Sequence, residues 1–263
     1  MEQKEINAVF DRIYRRYDVM NHVFSLGIDY VWRAAAAETL VAGKSRKLKI
    51  LDAGTGTGDM LLSAKHAADK HGIHVELYGI DPNRNMLGLA KEKLTRKRIT
   101  AKLSLGDAQR MPYGDSSFDA VSSAFVLRNI TDLDAFFSET YRVLKKRGSA
   151  VFIDMALPDE KPLRLFFSGY MKIIEYSGRI LGRGSYEWLS HSIKHFDKKN
   201  LFKVAKKHGF KDISIDELAA NEALLKAAIL NNTYVDRAAE ELQGLACSEL
   251  LDYSHFVKVK LRR

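Results

Sequence analysis

Apolar positions in residues 5–24 recur at helical spacing. Val9, Ile13, Tyr17 and Met20 share one face, with Arg12, Arg15 and Arg16 on others, which predicts one or two helical segments. A second, alanine-rich helix is expected over 30–41. From residue 48 the rhythm becomes an alternation of short apolar runs and amphipathic stretches. Strands are expected over 48–53, 75–80, 101–105, 118–124 and 149–155. Helices are expected from the glycine turn to about 70 and over 133–144, where Phe136, Phe137, Tyr141 and Leu144 are the apolar positions. Lys145-Lys146-Arg147-Gly148 reads as the stop of the latter helix. Strands and helices alternating at this length imply a parallel sheet with ligands at the carboxyl ends of its strands.

After Pro158 the pattern changes again. Leu163, Phe166, Phe167, Tyr170, Ile173, Ile174 and Leu181 make an apolar helical stripe, followed by the loop Gly182-Arg183-Gly184-Ser185 and a short helix opening at Tyr186. A helix over 200–208, a strand over 211–215 and a closing strand over 255–261 complete the chain, with an alanine- and leucine-rich segment, read as helical, between the two strands. The organisation expected is a single domain over 1–263. Residues 1–45 form N-terminal helices, 46–155 a cofactor-binding core and 156–200 a helical substrate cap. Residues 201–263 hold the end of the sheet, with a helical insert over 216–253.

The first apolar run leads into Asp52-Ala53-Gly54-Thr55-Gly56-Thr57-Gly58-Asp59. Strand, glycine turn and helix bring backbone N–H groups close to a ligand with no side chain in the way. Dinucleotide dehydrogenases space these glycines G-x-G-x-x-G. Here the spacing is G-x-G-x-G, with acids at both ends. Such a rim suits a ligand that is cationic and rich in hydroxyl and amine donors better than a bare pyrophosphate, and S-adenosylmethionine has that chemistry. Asp81 ends the next expected strand, where a Rossmann-type fold places the acceptor for ribose hydroxyls. It also reads as the cap of the following helix, with Pro82 at the first helical position.

Composition narrows the picture. With 46% hydrophobic residues the chain can bury a sizeable core, and its single cysteine, Cys247, excludes an internal disulfide and fits a reducing compartment. Met1–Glu5 contains no apolar signal region and no apolar run reaches membrane-spanning length, so a cytoplasmic protein is expected. The net charge of +9 is spread over many short basic clusters without a nucleic-acid motif. Nucleic acid is therefore not an expected partner, whereas peripheral contact with the inner face of an anionic membrane is open. His191 and His195 have helical zinc-pair spacing but lack the intervening glutamate, and no metal is expected.

With these residues in view, the chain resembles class I S-adenosylmethionine-dependent methyltransferases. Within them it resembles the C-methyltransferases of ubiquinone and menaquinone biosynthesis. The general signals are Leu51 to Asp59, Asp81, Gly106-Asp107-Ala108, Phe118-Asp119 and Arg142-Val143-Leu144-Lys145. The particular ones are Tyr17-Asp18-Val19-Met20-Asn21, Ser25-Leu26-Gly27-Ile28, Trp32, Phe125 through Asp132 and Tyr186 through Ile193. The resemblance implies an α/β fold: a Rossmann-like, seven-stranded, mostly parallel sheet with helices on both faces and an antiparallel last strand, plus N-terminal helices and a helical cap.

It also implies a cofactor, S-adenosyl-L-methionine, and the residues around it. The expected cofactor-binding set is Asp52, Gly54, Thr55, Gly56, Thr57, Gly58, Asp81, Pro82, Met86, Asp107, Ala108 and Ala124. Within it Thr57 and the glycines line the methionine end, Asp81 the ribose, and Asp107 with Ala108 the adenine. Three departures stand out. Ala124 replaces a frequent serine, Val126 replaces the glycine before Leu127-Arg128-Asn129 and narrows the pocket, and the 216–253 segment replaces a short turn.

A sulfonium methyl is already activated, so the protein must align and exclude water rather than supply a nucleophile. An aromatic carbon acceptor becomes nucleophilic when the adjacent phenol loses its proton. Arg128 is the expected donor to the developing phenolate, Asn129 orients the hydroxyl or a water, and Tyr17 and Tyr186 hold the ring. These four are the candidate catalytic residues. The expected substrate is a small hydrophobic aromatic or quinol, in particular a demethylated quinol, and a homodimer is an open arrangement. Two rival readings are methylation of another hydrophobic small molecule and a non-catalytic S-adenosylmethionine-binding protein. An NAD-dependent oxidoreductase is disfavoured by the glycine spacing.

Overall fold

The computed structural model describes residues 3–25, 27–44, 47–155, 198–218 and 256–263, with scattered positions between 161 and 193. The N-terminal region is one long helix, α1 (Gln3–Phe24), followed by α2 (Ile28–Val41). Ile6, Val9, Ile13 and Met20 are buried, while Arg12, Arg15 and Arg16 are exposed, as the helical period demands. Helix α2 starts at Ile28 rather than at residue 30, because Gly27 turns the chain at φ 76° and brings Asp29 into the first helical turn.

Seven strands follow: β1 (Lys47–Ala53), β2 (His74–Asp81), β3 (Ala101–Leu105), β4 (Phe118–Ala124), β5 (Leu144–Met155), β6 (Lys211–Leu218) and β7 (Phe256–Arg262). Between them lie α3 (Asp59–Lys70), α4 (Arg84–Arg96), a short 3-10 helix (Leu127–Asn129), α5 (Leu133–Val143) and α6 (Lys198–Lys207). The sheet order is β3-β2-β1-β4-β5-β7-β6, and β7 runs antiparallel to both neighbours. This is the expected Rossmann-like α/β fold. The chain winds outward from β1 through β2 to β3, then returns to lay β4 on the other side of β1. That reversal opens a crevice at the carboxyl ends of β1 and β4.

Apolar packing covers both faces of the sheet. Leu40 of α2 and Leu61 of α3 join Ile50 and Val151 on one side. On the other, Phe136 and Phe137 of α5 meet Phe152 of β5 and Phe210 after α6, with edge-to-face rings 5.3 Å apart for Phe136–Phe152 and 6.2 Å for Phe137–Phe210.

Two sequence expectations are corrected here. The basic run Lys145-Lys146-Arg147-Gly148 does not separate α5 from β5. The strand begins at Leu144, which pairs with Phe118, and the register shifts before Ala120 pairs with Ser149. Lys145 is held in this extended path by Asp119, its Nζ 2.8 Å from Oδ1. Strand β6 also runs on to Leu218, so the segment expected to be helical from 216 starts as strand. Residues 219–255 lie outside the described residues, as does most of the expected cap over 156–200, including Tyr186.

Candidate active site

Strand β1 delivers the chain into a turn in which Gly54, Gly56 and Gly58 all adopt positive φ, at 75°, 52° and 86°. Side chains are strained in this region, so alternate glycines are what the turn requires. The N–H groups of Gly54 and Thr55 both donate to the Ile80 carbonyl, at 2.8 and 2.9 Å, which fastens the turn to β2. At Gly54 space is a second constraint: a Cβ there would lie 2.6 Å from Cγ2 of Val126.

Asp81 closes β2 against this turn. Its Oδ2 accepts the N–H of Gly56 at 2.8 Å and its Oδ1 that of Asn83 at 2.8 Å. The cap of α4 is Asn83, whose Oδ1 accepts the Met86 N–H at 3.0 Å. Asp81 is therefore not the helix cap and Pro82 not the first helical residue, which corrects the sequence reading and leaves the Asp81 carboxylate in the cleft wall. Burial pushes Asp81 up to about 6 despite the two N–H donors. Burial likewise pushes Asp52 up to about 6, opposed by the Ser122 hydroxyl that donates to it at 2.8 Å.

Helix α1 lies across the cleft and is tied down by polar contacts. Asn83 Nδ2 donates to Asp11 at 2.8 Å. About two turns further on, the Thr57 hydroxyl donates to Asp18 at 2.5 Å, and Lys93 Nζ bridges Asp18 at 2.6 Å, Asp59 at 2.5 Å and Thr57 at 3.1 Å. A lysine with its three donors taken by α1, the glycine turn and the start of α3 joins the helix to the loop it covers.

The far wall comes from the end of β4. Phe125 takes φ 63°, and the 3-10 turn after it presents Leu127-Arg128-Asn129. Asn129 is buried and lines the cleft; its Nδ2 donates to the Phe125 carbonyl at 3.3 Å, while its Oδ1 has no hydrogen-bond partner among the described residues. Arg128 turns the other way. Its Nη1 pairs with Asp154 at the end of β5, whose Oδ2 also accepts the Arg128 N–H at 3.0 Å, and both side chains are buried. Tyr17 reaches the cleft from α1. Burial raises its phenol above the ordinary value, against the opposing charge of Arg128, so it stands neutral and able to donate.

These walls enclose about 820 Å³ of space, the open mouth included. From the expected cofactor set, Asp52, Gly54, Thr55, Gly56 and Thr57 face it on the β1 side and Asp81, Pro82 and Met86 on the β2 side. Asp107, Ala108 and Ala124 complete that group, with Asp107 also bound by the N–H of Gln109 at 2.8 Å. Gly58 and Arg128 are not part of the wall; Gly58 caps α3, and Arg128 stands behind Phe125, its guanidinium 5.9 Å from the ring centre. Sequence reasoning missed Arg33 and Asn83, which both line the cleft. For Arg33 a signal existed in the Asp29–Arg33 spacing of one helical turn, hidden by starting the helix at residue 30.

Relatives of known kind match most of the chain in sequence. The ubiE/COQ5 methyltransferase family matches residues 1–229. A demethylmenaquinone methyltransferase of Bacteroides fragilis is 34% identical over 223 residues, 82% of this chain and 89% of that protein. A ubiquinone/menaquinone biosynthesis C-methyltransferase of Rhizobium etli is 31% identical over 219 residues, 81% of this chain and 84% of its own. In fold, the chain is similar to a SAM-dependent methyltransferase of Thermotoga maritima, with a TM-score of 0.58 at 18% identity over 97% of this chain and 98% of that one. With the family matched from α1 through β6 and the glycine turn at the centre of the cleft, the chain belongs to the ubiE/COQ5 methyltransferase family.

Proposed function

We propose that the chain transfers the methyl group of S-adenosyl-L-methionine to a ring carbon of a demethylated quinol. The observation that carries this reading is the desolvated Asp81 carboxylate, joined to the glycine turn through the Gly56 N–H at 2.8 Å and facing the same cleft as Tyr17 and the unsatisfied Oδ1 of Asn129. A buried acceptor with spare lone pairs fits a vicinal diol, and an acidic rim at Asp52 and Asp59 fits an ammonium and a sulfonium. The residues present therefore suit the donor.

When bound, the donor supplies an electrophilic methyl group on a positively charged sulfur. Asp81 would accept the ribose hydroxyls, Asp107 and Ala108 would border the adenine, and Asp52 with the turn of Gly54 to Thr57 would hold the amino-acid end. Asn129 and Tyr17 orient the acceptor. The Asn129 Oδ1 orients the phenol hydroxyl or the water that takes its proton, and the neutral Tyr17 phenol donates to the oxygen as it gains negative charge. The ring carbon then bonds the methyl as the sulfur leaves with the broken bond's electron pair, and that carbon gives up its own proton to water to restore the aromatic ring. Arg128, paired with Asp154, acts as a positioning residue that fixes the 3-10 turn carrying Asn129 and adds positive potential near Tyr17. The apolar wall of Phe125, Val126 and Ile130 limits the access of water to the reacting carbon.

Peripheral membrane contact belongs to the same reading. It is supported by the +9 net charge and by the exposed Leu165, Ile173 and Tyr176. No helix among the described residues is long and apolar enough to cross a membrane. The decisive experiment supplies labelled S-adenosylmethionine with a demethylmenaquinol, and in parallel with a lipid extract, and reads product mass. A quinol gaining one methyl on carbon is expected. Label appearing only in another hydrophobic product of the extract would redirect the acceptor assignment toward a ring that fits beside Val126.

A further inference from the structure

Arg33 projects from α2 into the cleft wall and is 4% exposed. Asp29, one turn earlier, takes its Nη1, and that is its single hydrogen bond among the described residues, although a guanidinium carries five N–H donors. The group is held firmly all the same. Ser25 Oγ donates to Asp29 at 2.7 Å and His22 Nδ1 lies 2.9 Å from it, while the Phe125 ring lies 4.8 Å from the guanidinium carbon. A cation fixed on two sides, with donors left over at a cleft, is placed to bind an anion.

We infer that Arg33 anchors the carboxylate at the amino-acid end of the methyl donor, which rests on the donor reading given above. The cations nearby leave this role to Arg33. Lys93 is consumed by Asp18, Asp59 and Thr57. Arg128 pairs with Asp154 and stands outside the wall. Of the acids at this end, Asp59 is already paired with Lys93, and Asp52 repels a carboxylate and suits the ammonium of the same zwitterion. A ligand with both charges on one carbon therefore finds an acid side and one free cationic edge, and its orientation in the cleft is set before the methyl is presented.

The test is calorimetric and needs no turnover. The full chain is titrated with S-adenosylhomocysteine, with its carboxamide and with methylthioadenosine, which lacks the amino-acid end. In the wild type, the carboxamide is expected to bind at least about tenfold more weakly than the acid, the size of a lost charge-assisted hydrogen bond. Arg33→Gln is expected to weaken S-adenosylhomocysteine roughly 10- to 100-fold while changing methylthioadenosine less than about threefold, with Arg33→Lys recovering part of the loss. Equal loss of both ligands in Arg33→Gln, or equal wild-type affinity for acid and carboxamide, overturns the assignment. Should Arg33→Gln fail to fold, the wild-type comparison decides alone. A wild type that binds neither S-adenosylhomocysteine nor methylthioadenosine overturns the donor reading and this assignment with it, whereas binding of both ligands with no dependence on the carboxylate overturns the assignment alone.

Discussion

At Asp81 one carboxylate accepts the N–H of Gly56 and that of Asn83, so replacing it acts on the turn and on the ligand together. Asp81→Asn keeps the shape and removes the charge. S-adenosylhomocysteine affinity measured by calorimetry should fall roughly 10- to 100-fold, as for loss of hydrogen bonds to a charged acceptor; an unchanged affinity would remove Asp81 from the ribose role. Asp154 is the contrasting case. Asp154→Ala removes one partner of a buried ion pair with Arg128, which should cost about 3–5 kcal/mol in urea denaturation. Asp115→Ala, at the exposed end of its pair with Arg142, should cost less than about 1 kcal/mol. At this scale the sequence was legible wherever chemistry follows local spacing. The G-x-G-x-G turn and Asp81 could be placed from neighbours in the chain. The orientation of Arg128 could not, because its partner lies far along the chain on β5, and the cap of α4 is Asn83 rather than the Asp81 read from the sequence.

Among the elements, α1 matters most to the cleft, although it belongs to no part of the sheet. Its apolar face is set by period, but its position over the glycine turn is set by Asp11 and Asp18, whose partners are more than thirty residues away. Those acids carry no helical-period signal, which is why the helix was readable and its docking was not. Lys93→Met should therefore loosen α1 without unfolding the sheet. Backbone amides of α1 are expected to exchange faster, and S-adenosylhomocysteine to dissociate several-fold faster, in keeping with loss of about 1 kcal/mol of charge-assisted contact. Unaltered exchange in α1 would mean that apolar packing alone holds it. The strands divide the same way. β3 and β4, bounded by turn residues, match their expected limits, whereas β5 begins five residues before the expected position because Leu144 pairs with Phe118 across the sheet.

For the molecule as a whole, two buried acids set an unusual dependence on pH. Burial lifts Asp52 and Asp81 to about 6 from 3.8. Folding thus favours their protonated forms, and the stability they contribute is full below pH 4 and lost as pH rises through about 6, on the order of a few kcal/mol for the pair. Asp29 has the opposite sign. Burial works against its charge, but Arg33, His22 and Ser25 hold it well below the carboxylate range, and its contribution is lost only under strong acid. The ligand-free protein should therefore melt at a higher temperature at pH 5 than at pH 7.5. S-adenosylhomocysteine, whose donors prefer the ionised acids, should bind more tightly at pH 7.5 and narrow or reverse the gap; a melting temperature independent of pH across that window would contradict both raised values. The sheet edge carries one more consequence. Leu218 pairs with Phe256, and Phe256 with Met155 at the carboxyl end of β5. Everything between 218 and 256 thus departs from and rejoins a single rung of the ladder, on the rim where the cleft opens, and the family match stops within it at residue 229. An Asn-Gly hairpin turn joining Leu218 directly to Phe256 would preserve the register of both strands. Such a shortened chain is expected to fold and to keep its affinity for S-adenosylhomocysteine, and any change in which acceptors it methylates would be the contribution of the removed residues.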